Sequence, residues 1–287
     1  MENTEKNKLE KSTLYLVGTP IGNLADISDR AKKVLSEVDF IAAEDTRNSM
    51  KLCSALGIKK EFVSYYEHNK RTSGEKILAR LLSGENCALV TDAGMPAISD
   101  PGEDIVKLCA DSGITVSVIP GPCAAVSALA LSALTTSRFT FEGFLSAQKN
   151  ERKKQLSRLH TEERTMIFYE APHKLKATLA DMCCEFGEER KISLCREITK
   201  LNEEVIRTTL GAAVNLYSEK EPRGEYVLVL DGCGGSVCEG ENPLLSLSPT
   251  EHVIHYVNSG MSKMDAIKAA AKDRGVSKSE MYKQVVK

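Results

Sequence analysis

The chain has 287 residues, a length suited to about two domains, and its 42% hydrophobic and 27% charged content supports sizeable cores. A net charge of −2 excludes a global basic field, so any nucleic-acid contact must come from local patches. No apolar run approaches membrane-spanning length, no secretory leader opens the chain, and nine cysteines without zinc-like pairing to histidine read as free thiols of a reducing cytoplasm, with no metal site.

Residues 1–11 are polar and read as a disordered lead. The first apolar run, Leu14-Tyr15-Leu16-Val17, feeds the loop Gly18-Thr19-Pro20-Ile21-Gly22-Asn23. A Gly/Pro loop between a strand and a helix is how an α/β protein builds a ligand site at the carboxyl end of a parallel strand. Pro20 stands where a phosphate cradle needs a free backbone N–H, which argues for a nucleoside-like ligand without a pyrophosphate. S-adenosylmethionine fits that description; the alternative is a tight turn with no ligand duty.

Strands are predicted at 13–18, 38–43, 61–66, 87–91 and 115–119. Helical patterns alternate with them, as in Ala31, Val34, Leu35 and Val38 after a Ser28 cap, and Ile105, Leu108 and Cys109 after Asp104. This order predicts an α/β domain over 12–121, with a mostly parallel sheet covered on both faces. Ala124 to Leu134 reads as a buried helix leading out of it. A second α/β domain, 122–232, carries predicted strands at 139–143, 165–169, 191–196, 203–208 and 225–231, and helices at 150–161, 172–186 and 209–218. The short turn before 203–208 implies antiparallel pairing and a mixed sheet. Residues 233–247, Gly-rich and holding Cys233 and Cys238, read as a linker. In the tail, 248–287, Thr250 is the expected cap of a helix stopping at Gly260. Ser262 with Asp265, and Ser277 with Glu280, resemble capping boxes on either side of Gly275, a helix-turn-helix pattern. Residues 251–287 hold seven Lys and Arg against four Asp and Glu, so this tail is either a solvated appendage or a nucleic-acid contact surface.

Chemistry-bearing loops fall at the predicted carboxyl ends of strands. They are Glu44-Asp45-Thr46-Arg47, then the stretch from Asp92 to Gly102 with its two prolines and two glycines, then Pro120-Gly121-Pro122-Cys123-Ala124. The second domain adds Tyr169-Glu170-Ala171-Pro172-His173 and Arg196-Glu197-Ile198-Thr199-Lys200. All are expected at one sheet edge, where open α/β sheets bind ligands. The run Lys149, Arg152, Lys153, Lys154 and Arg158 is the clearest basic cluster of the main body, a solvated helix face or a phosphate contact.

Eight segments in order, GTPIGNLADISDRA, AEDTR, TDAGMPAISDPG, IPGPCAAVSAL, FTFEGFL, FYEAPH, CREITKLNEE and RGEYVLVL, resemble the ribosomal RNA small subunit methyltransferase I family of the tetrapyrrole methylase superfamily. The resemblance covers residues 12–232, and the tail is similar to that family's helix-turn-helix appendage. Ser146, where a proline often follows FEGFL, departs from the pattern. The resemblance implies two α/β domains of the tetrapyrrole methylase type and a cytoplasmic homodimer. It implies methyl transfer from S-adenosylmethionine to the ribose 2′-oxygen of a decoding-centre cytidine in 16S rRNA of the 30S subunit, with no DNA and no membrane partner. Carried over by motif, the cofactor touches Pro20, Gly94, Met95, Ile98, Ser99, Cys123, Ala124 and Tyr169.

Such a transfer needs in-line positioning of the hydroxyl and a group to take its proton or stabilise the alkoxide. The candidates are Glu44, Asp45, Asp100, Glu170 and Lys200, with Arg47 and Arg196 for holding phosphate or the alkoxide. The greatest weight falls on Asp45 and Arg47, against the alternative that they form a structural salt bridge; Lys200 is the third catalytic expectation. Tyr169 stacks on the cofactor or packs the sheet, and His173 is an RNA contact or a satisfied surface histidine. A porphyrinoid C-methylase, a nicotinamide oxidoreductase and a non-catalytic RNA-binding protein are the competing classes. The basic tail argues against the first and the absent GxGxxG run against the second.

Overall fold

A computed structural model describes residues 8–233, 244, 247–258 and 261–285. Cys238, Gly260, most of the predicted linker and the first seven residues of the lead lie outside the described residues. Two compact units are present: residues 1–160 with 164–231, and 161–163 with 232–287.

The first unit contains two five-stranded sheets. The first is built from β1 (Thr13–Val17), β2 (Phe40–Ala43), β3 (Glu61–Ser64), β4 (Cys87–Val90) and β5 (Thr115–Ile119) in the order β3-β2-β4-β1-β5, all parallel. Parallel strands joined by crossover helices are buried on both faces, and side-chain alternation divides them. Tyr15, Val17, Ile41, Ala43, Ala88 and Val90 pack with Ala31, Val34 and Leu35 of α1 (Asp29–Glu37) on one face. Leu14, Phe40, Ala42, Cys87 and Leu89 pack on the other with Ile77 and Leu81 of α3 (Lys70–Leu82) and Ile105 of α4 (Gly102–Asp111). Ser28 caps α1 as expected, its hydroxyl accepting from the Ala31 N–H.

The second sheet, in the order β6-β7-β10-β8-β9, is mixed. β6 (Phe139–Phe144) pairs parallel with β7 (Thr165–Glu170); β10 (Tyr226–Leu230) is antiparallel to β7 and to β8 (Lys191–Arg196); and β9 (Glu204–Thr209) is antiparallel to β8, as the short turn required. α7 (Pro172–Phe186) and α8 (Leu210–Glu219) cover one face through Leu175, Leu179, Leu210 and Tyr217. The other face is covered by α5 (Ala124–Leu131), whose Ala125, Ala128 and Leu129 meet Ile167, Val227 and Val229. α5 is shorter than the predicted 124–134: Ala133 turns to φ 59°, and the Arg207 guanidinium caps the helix end by donating to the Leu131 carbonyl.

The basic run on α6 (Lys149–Arg158) is not a uniform solvated face. Lys149, Lys153, Lys154 and Arg158 are exposed, but Arg152 is buried. Its guanidinium donates to Asp181 of α7 at 2.9 and 2.6 Å and to the Ser146 and Ala147 carbonyls. The phosphate-contact expectation for Arg152 is therefore corrected: its buried guanidinium is paired with a carboxylate 29 residues away and with two backbone carbonyls.

The second unit holds α9 (Pro249–Asn258), α10 (Lys263–Asp273) and α11 (Lys278–Val285) around Val253, Ala266, Ile267, Ala270 and Met281. Ser262 and Ser277 cap α10 and α11 as predicted, and Gly275 makes the turn at φ 63°. The cap of α9 is Ser248, not Thr250: Pro249 occupies the first helical position and Glu251 closes the box on the Ser248 hydroxyl and N–H.

The buried Arg152–Asp181 pair sets a stability prediction. Removing one partner strands a buried charge, so Arg152→Leu is expected to destabilise by about 3–5 kcal/mol in urea unfolding. The exposed neighbour substitution Lys153→Leu is expected to stay within about 0.5 kcal/mol of the parent.

Candidate active site

The loop after β1 is held by backbone contacts. The Gly18 N–H donates to the Ile119 carbonyl at 3.1 Å, while Thr19 and Gly94 exchange N–H···O bonds of 2.9 and 3.1 Å. A Cβ on Gly18 would sit 2.7 Å from the Cα of Gly121, and one on Gly121 would sit 2.8 Å from the Cα of Gly18. The ends of β1, β4 and β5 are thus drawn together at a crossing that only glycines allow. The Gly18 and Thr19 donors, which a phosphate cradle would need, are already paired. This agrees with the reading of Pro20.

The loop after β4 is shaped by Asp100, whose carboxylate accepts from the Ala97 N–H at 2.9 Å and the Gly102 N–H at 2.7 Å. That turn holds Ala97 and Ser99 at φ 66° and 59°. In the loop after β8, Glu197 and Thr199 have φ 52° and 67°. Residues with side chains in the left-handed region cost free energy, and such strain concentrates where a loop is shaped around a ligand. The bulge between Phe141 and Gly143 brings Gly143 beside Ser99, linking β6 to the β4 loop.

These loops enclose a cleft of about 1090 Å³. Of the residues expected to touch a cofactor, Gly94, Met95, Ile98, Ser99, Cys123, Ala124 and Tyr169 line it, and Lys200 joins them. Pro20, Asp45 and Arg47 do not; their neighbours Ile21 and Glu44 do. Sequence reasoning passed over Phe144 and Val227, which also line the cleft. The strand periodicity of FTFEGFL could have flagged Phe144, since alternation puts one aromatic of that run outward.

The apolar part of the wall is partly open. Ile98 is 52% and Phe144 59% exposed, and Tyr169 packs against Phe141 and Phe144 at ring-centroid distances of 5.0 and 5.5 Å. Tyr169 therefore both packs the sheet and faces the cleft, and burial pushes its phenol pKa up. Gly94, at φ 84°, leaves the wall without a side chain beside Ile21. An aromatic and aliphatic surface with bare backbone next to it suits a flat base and a thioether chain. The carboxylates of Glu44, Asp92 and Asp100 line the same cleft and favour a cationic ligand.

The titratable groups divide by what already binds them. Asp45 caps α2 (Thr46–Ala55), accepting from the Arg47 N–H at 2.9 Å, and forms a two-point ion pair with the Arg47 guanidinium at 3.0 and 2.8 Å. Those hydrogen bonds hold its carboxyl at about 2. The Arg47 side chain is 81% exposed. Glu44 differs: burial pushes its pKa up against a 3.3 Å hydrogen bond from Thr91, and the charges of Asp92, Asp100 and Asp45 raise it further. Burial opposes the ammonium of Lys200, but Glu225 and Glu197, each 2.9 Å away, outweigh it and raise its pKa. Glu170 is buried and fully committed, accepting from the Ala171 N–H, the Thr178 hydroxyl and Lys174. Arg196 pairs with Glu204 across β8 and β9. His173 lies exposed at the start of α7, on the cleft wall.

A family profile described as Tetrapyrrole (Corrin/Porphyrin) Methylases matches residues 13–214. The chain is 48% identical over 273 residues to the ribosomal RNA small subunit methyltransferase I of Halalkalibacterium halodurans, covering 95% of this chain and 94% of the relative. It is 48% identical over 276 residues to the protein of the same name from Bacillus subtilis, covering 96% and 94%. Among solved structures, the uroporphyrin-III C-methyltransferase of Thermus thermophilus complexed with S-adenosylhomocysteine superimposes with a TM-score of 0.55 at 16% identity, covering 76% of this chain and 97% of that one. That likeness shows the fold. Near-complete coverage by the relatives, together with the two sheets and the profile match, shows that the chain belongs to the ribosomal RNA small subunit methyltransferase I family, within the tetrapyrrole methylases.

Proposed function

We propose that the protein transfers the methyl group of S-adenosylmethionine to the ribose 2′-oxygen of a decoding-centre cytidine in 16S rRNA, acting in the cytoplasm on the small subunit. The observation that carries this reading is the 48% identity to ribosomal RNA small subunit methyltransferases I along nearly the whole chain. The cleft supports the cofactor. It offers Tyr169, Ile98 and Phe144 as an apolar surface, bare backbone at Gly94, and a carboxylate wall suited to a sulfonium. It offers no free backbone donors at Gly18 or Thr19 for a pyrophosphate. The homodimer implied by the family resemblance belongs to the same proposal, and the exposed Val118 on edge strand β5 and Val126 on α5 are apolar side chains that such an interface would cover.

The bound cofactor supplies an activated methyl group on a good leaving group. The chain's own residues must place the hydroxyl in line and manage its proton. Glu44 is the carboxylate best suited to that proton: it lines the cleft, and burial gives it a basicity that Asp45 lacks. Asp45 acts one step back by fixing Arg47, and the exposure of that guanidinium supports a role in holding an RNA phosphate. Lys200 stays an ammonium, so it serves as a charge for phosphate or for the developing alkoxide and not as a base.

The direct test is incubation with methyl-labelled S-adenosylmethionine and small subunits from a strain lacking the activity, followed by mass mapping of the RNA. One 2′-O-methyl group on a decoding-centre cytidine is expected. Label in a porphyrinogen and none in rRNA would contradict the reading.

Two mutational outcomes follow from the assigned roles. A base whose pKa is raised above 4.5 must be deprotonated to act, so the single-turnover rate is expected to fall as pH drops through that raised pKa. Glu44→Gln is expected to lower the rate by roughly 10²–10⁴ and to abolish the acidic limb, as read in a pH–rate profile. Asp45→Asn, by releasing Arg47, is expected to raise KM for the RNA more than it lowers kcat while the affinity for S-adenosylmethionine is unchanged, measured by steady-state kinetics and calorimetry.

A further inference from the structure

The family profile ends at residue 214, and among the described residues the cleft lining ends at Val227, so the function above assigns the C-terminal unit no role. Its charges are distributed unevenly. Residues 251–287 carry a net +3, whereas the preceding 250 residues carry −5. The four Asp and Glu side chains of residues 251–287 are all used within its helices. Glu251 and Glu280 accept from the N–H and hydroxyl of Ser248 and Ser277 at helix starts, and Asp265 accepts from the Ser262 hydroxyl at 2.6 Å. Asp273 accepts from the Tyr256 hydroxyl at 2.5 Å and meets the buried His252 at 3.2 Å. Arg274 is internal too, donating to His252 and to the Leu244 and Leu247 carbonyls.

The lysines behave in the opposite way. Lys263, Lys268, Lys272, Lys278 and Lys283 are all exposed, and among the described residues none has an ion-pair partner. The first unit does pair many of its lysines, among them Lys32, Lys70, Lys154, Lys174, Lys176 and Lys200. On α10 the buried Ala266, Ile267, Ala270 and Ala271 define the inward face, which leaves Lys268 and Lys272, one turn apart, on the outward one. On α11 only Met281 is buried, and the exposed Tyr282 stands between Lys278 and Lys283. Among the described residues, α10 and α11 thus show unneutralised lysines and an aromatic ring to solvent, while the acids of α9–α11 cap and brace these helices.

We propose that the outward lysines of α10 and α11 form a docking face for the phosphodiester backbone of folded RNA. This rests on the reading of rRNA as the substrate, which names RNA as the polyanion. Lysine ammoniums without fixed partners give charge without base readout, so the face supplies affinity and leaves target choice to the cleft. Phosphate contacts release counterions, so such binding must weaken steeply with salt.

The test uses the full chain and a fluorescein-labelled hairpin of the small-subunit decoding region, with binding followed by anisotropy from low to high salt. Each lost phosphate contact removes about 0.7–0.9 from the slope of log affinity against log salt. Combined Lys268→Gln, Lys272→Gln, Lys278→Gln and Lys283→Gln substitution is expected to flatten that slope by roughly 3 and to weaken binding at moderate salt by more than about tenfold. The same positions changed to Arg are expected to keep the parent's slope, which separates lost charge from lost folding, and calorimetric affinity for S-adenosylmethionine reports that the first unit is intact. An unchanged slope and affinity in the Gln variant would overturn the proposal, as would tighter binding of a DNA duplex than of the RNA. Wild-type methylation of small subunits, measured in parallel, reports separately on the rRNA reading: its absence would sink that reading whatever the slope does.

Discussion

The site depends on one close approach, the crossing of the backbone at Gly18 over Gly121. With a would-be Cβ only 2.7 Å from the opposing Cα, no side chain fits at that point. The approach lets the β1 loop bond to Ile119 on one side and to Gly94 on the other, so the ends of three adjacent strands become one rigid rim. What faces the cleft is then set by backbone constraint: Gly94 bare, Ile98 and Ser99 turned by the Asp100 turn, and Cys123 and Ala124 at the start of α5. The opposite wall, from Tyr169 to Lys200, belongs to a sheet whose covering helices pack around Phe168 and Leu228. Rigid walls suit a reaction that depends on aligning three atoms.

A second theme is the division of carboxylates between building and chemistry. Asp45, Asp100 and Glu170 each accept two or more hydrogen bonds that define a helix start or a turn. Glu197 does the same for the chain at Glu225 while also holding Lys200. At Asp45 and Glu197 these hydrogen bonds lower the carboxyl pKa, which stabilises the charged form and makes a weak base. Glu44 has a single 3.3 Å donor and three like charges around it, which leaves it the better proton acceptor. The helix-terminal acids of α9, α10 and α11 follow the building pattern, which leaves the described lysines of α10 and α11 facing solvent without an ion-pair partner.

Much of this was legible in the sequence. Apolar runs such as Leu14–Val17 and Ile41–Ala43 gave the parallel strands because burial on both faces leaves little else in the pattern. The loops converged as expected since strand carboxyl ends share one edge. Three particulars were hidden. The segment from Glu44 to Arg47 reads as a loop, but Asp45 caps a helix, and this turns Arg47 away from the cleft lining and leaves Glu44 in it. Arg152 reads as one more surface cation, because nothing local announces its partner Asp181 on α7. Thr250 reads as the cap of α9, but Pro249 at the first helical position and Glu251 bonded to Ser248 start the helix two residues earlier. In each case the deciding contact is made by a second residue whose position only the folded chain supplies.

The central claim is that the glycine crossing shapes a cleft for a sulfonium nucleoside. Its most direct measurement is calorimetric titration of S-adenosylmethionine and of a nicotinamide dinucleotide into the wild-type chain and into Gly121→Ala. The account predicts binding of S-adenosylmethionine and not of the dinucleotide by the wild type, and loss of at least about tenfold in affinity for Gly121→Ala, with far-ultraviolet circular dichroism unchanged. Equal affinity for S-adenosylmethionine in both proteins, or preferential binding of the dinucleotide, would contradict it.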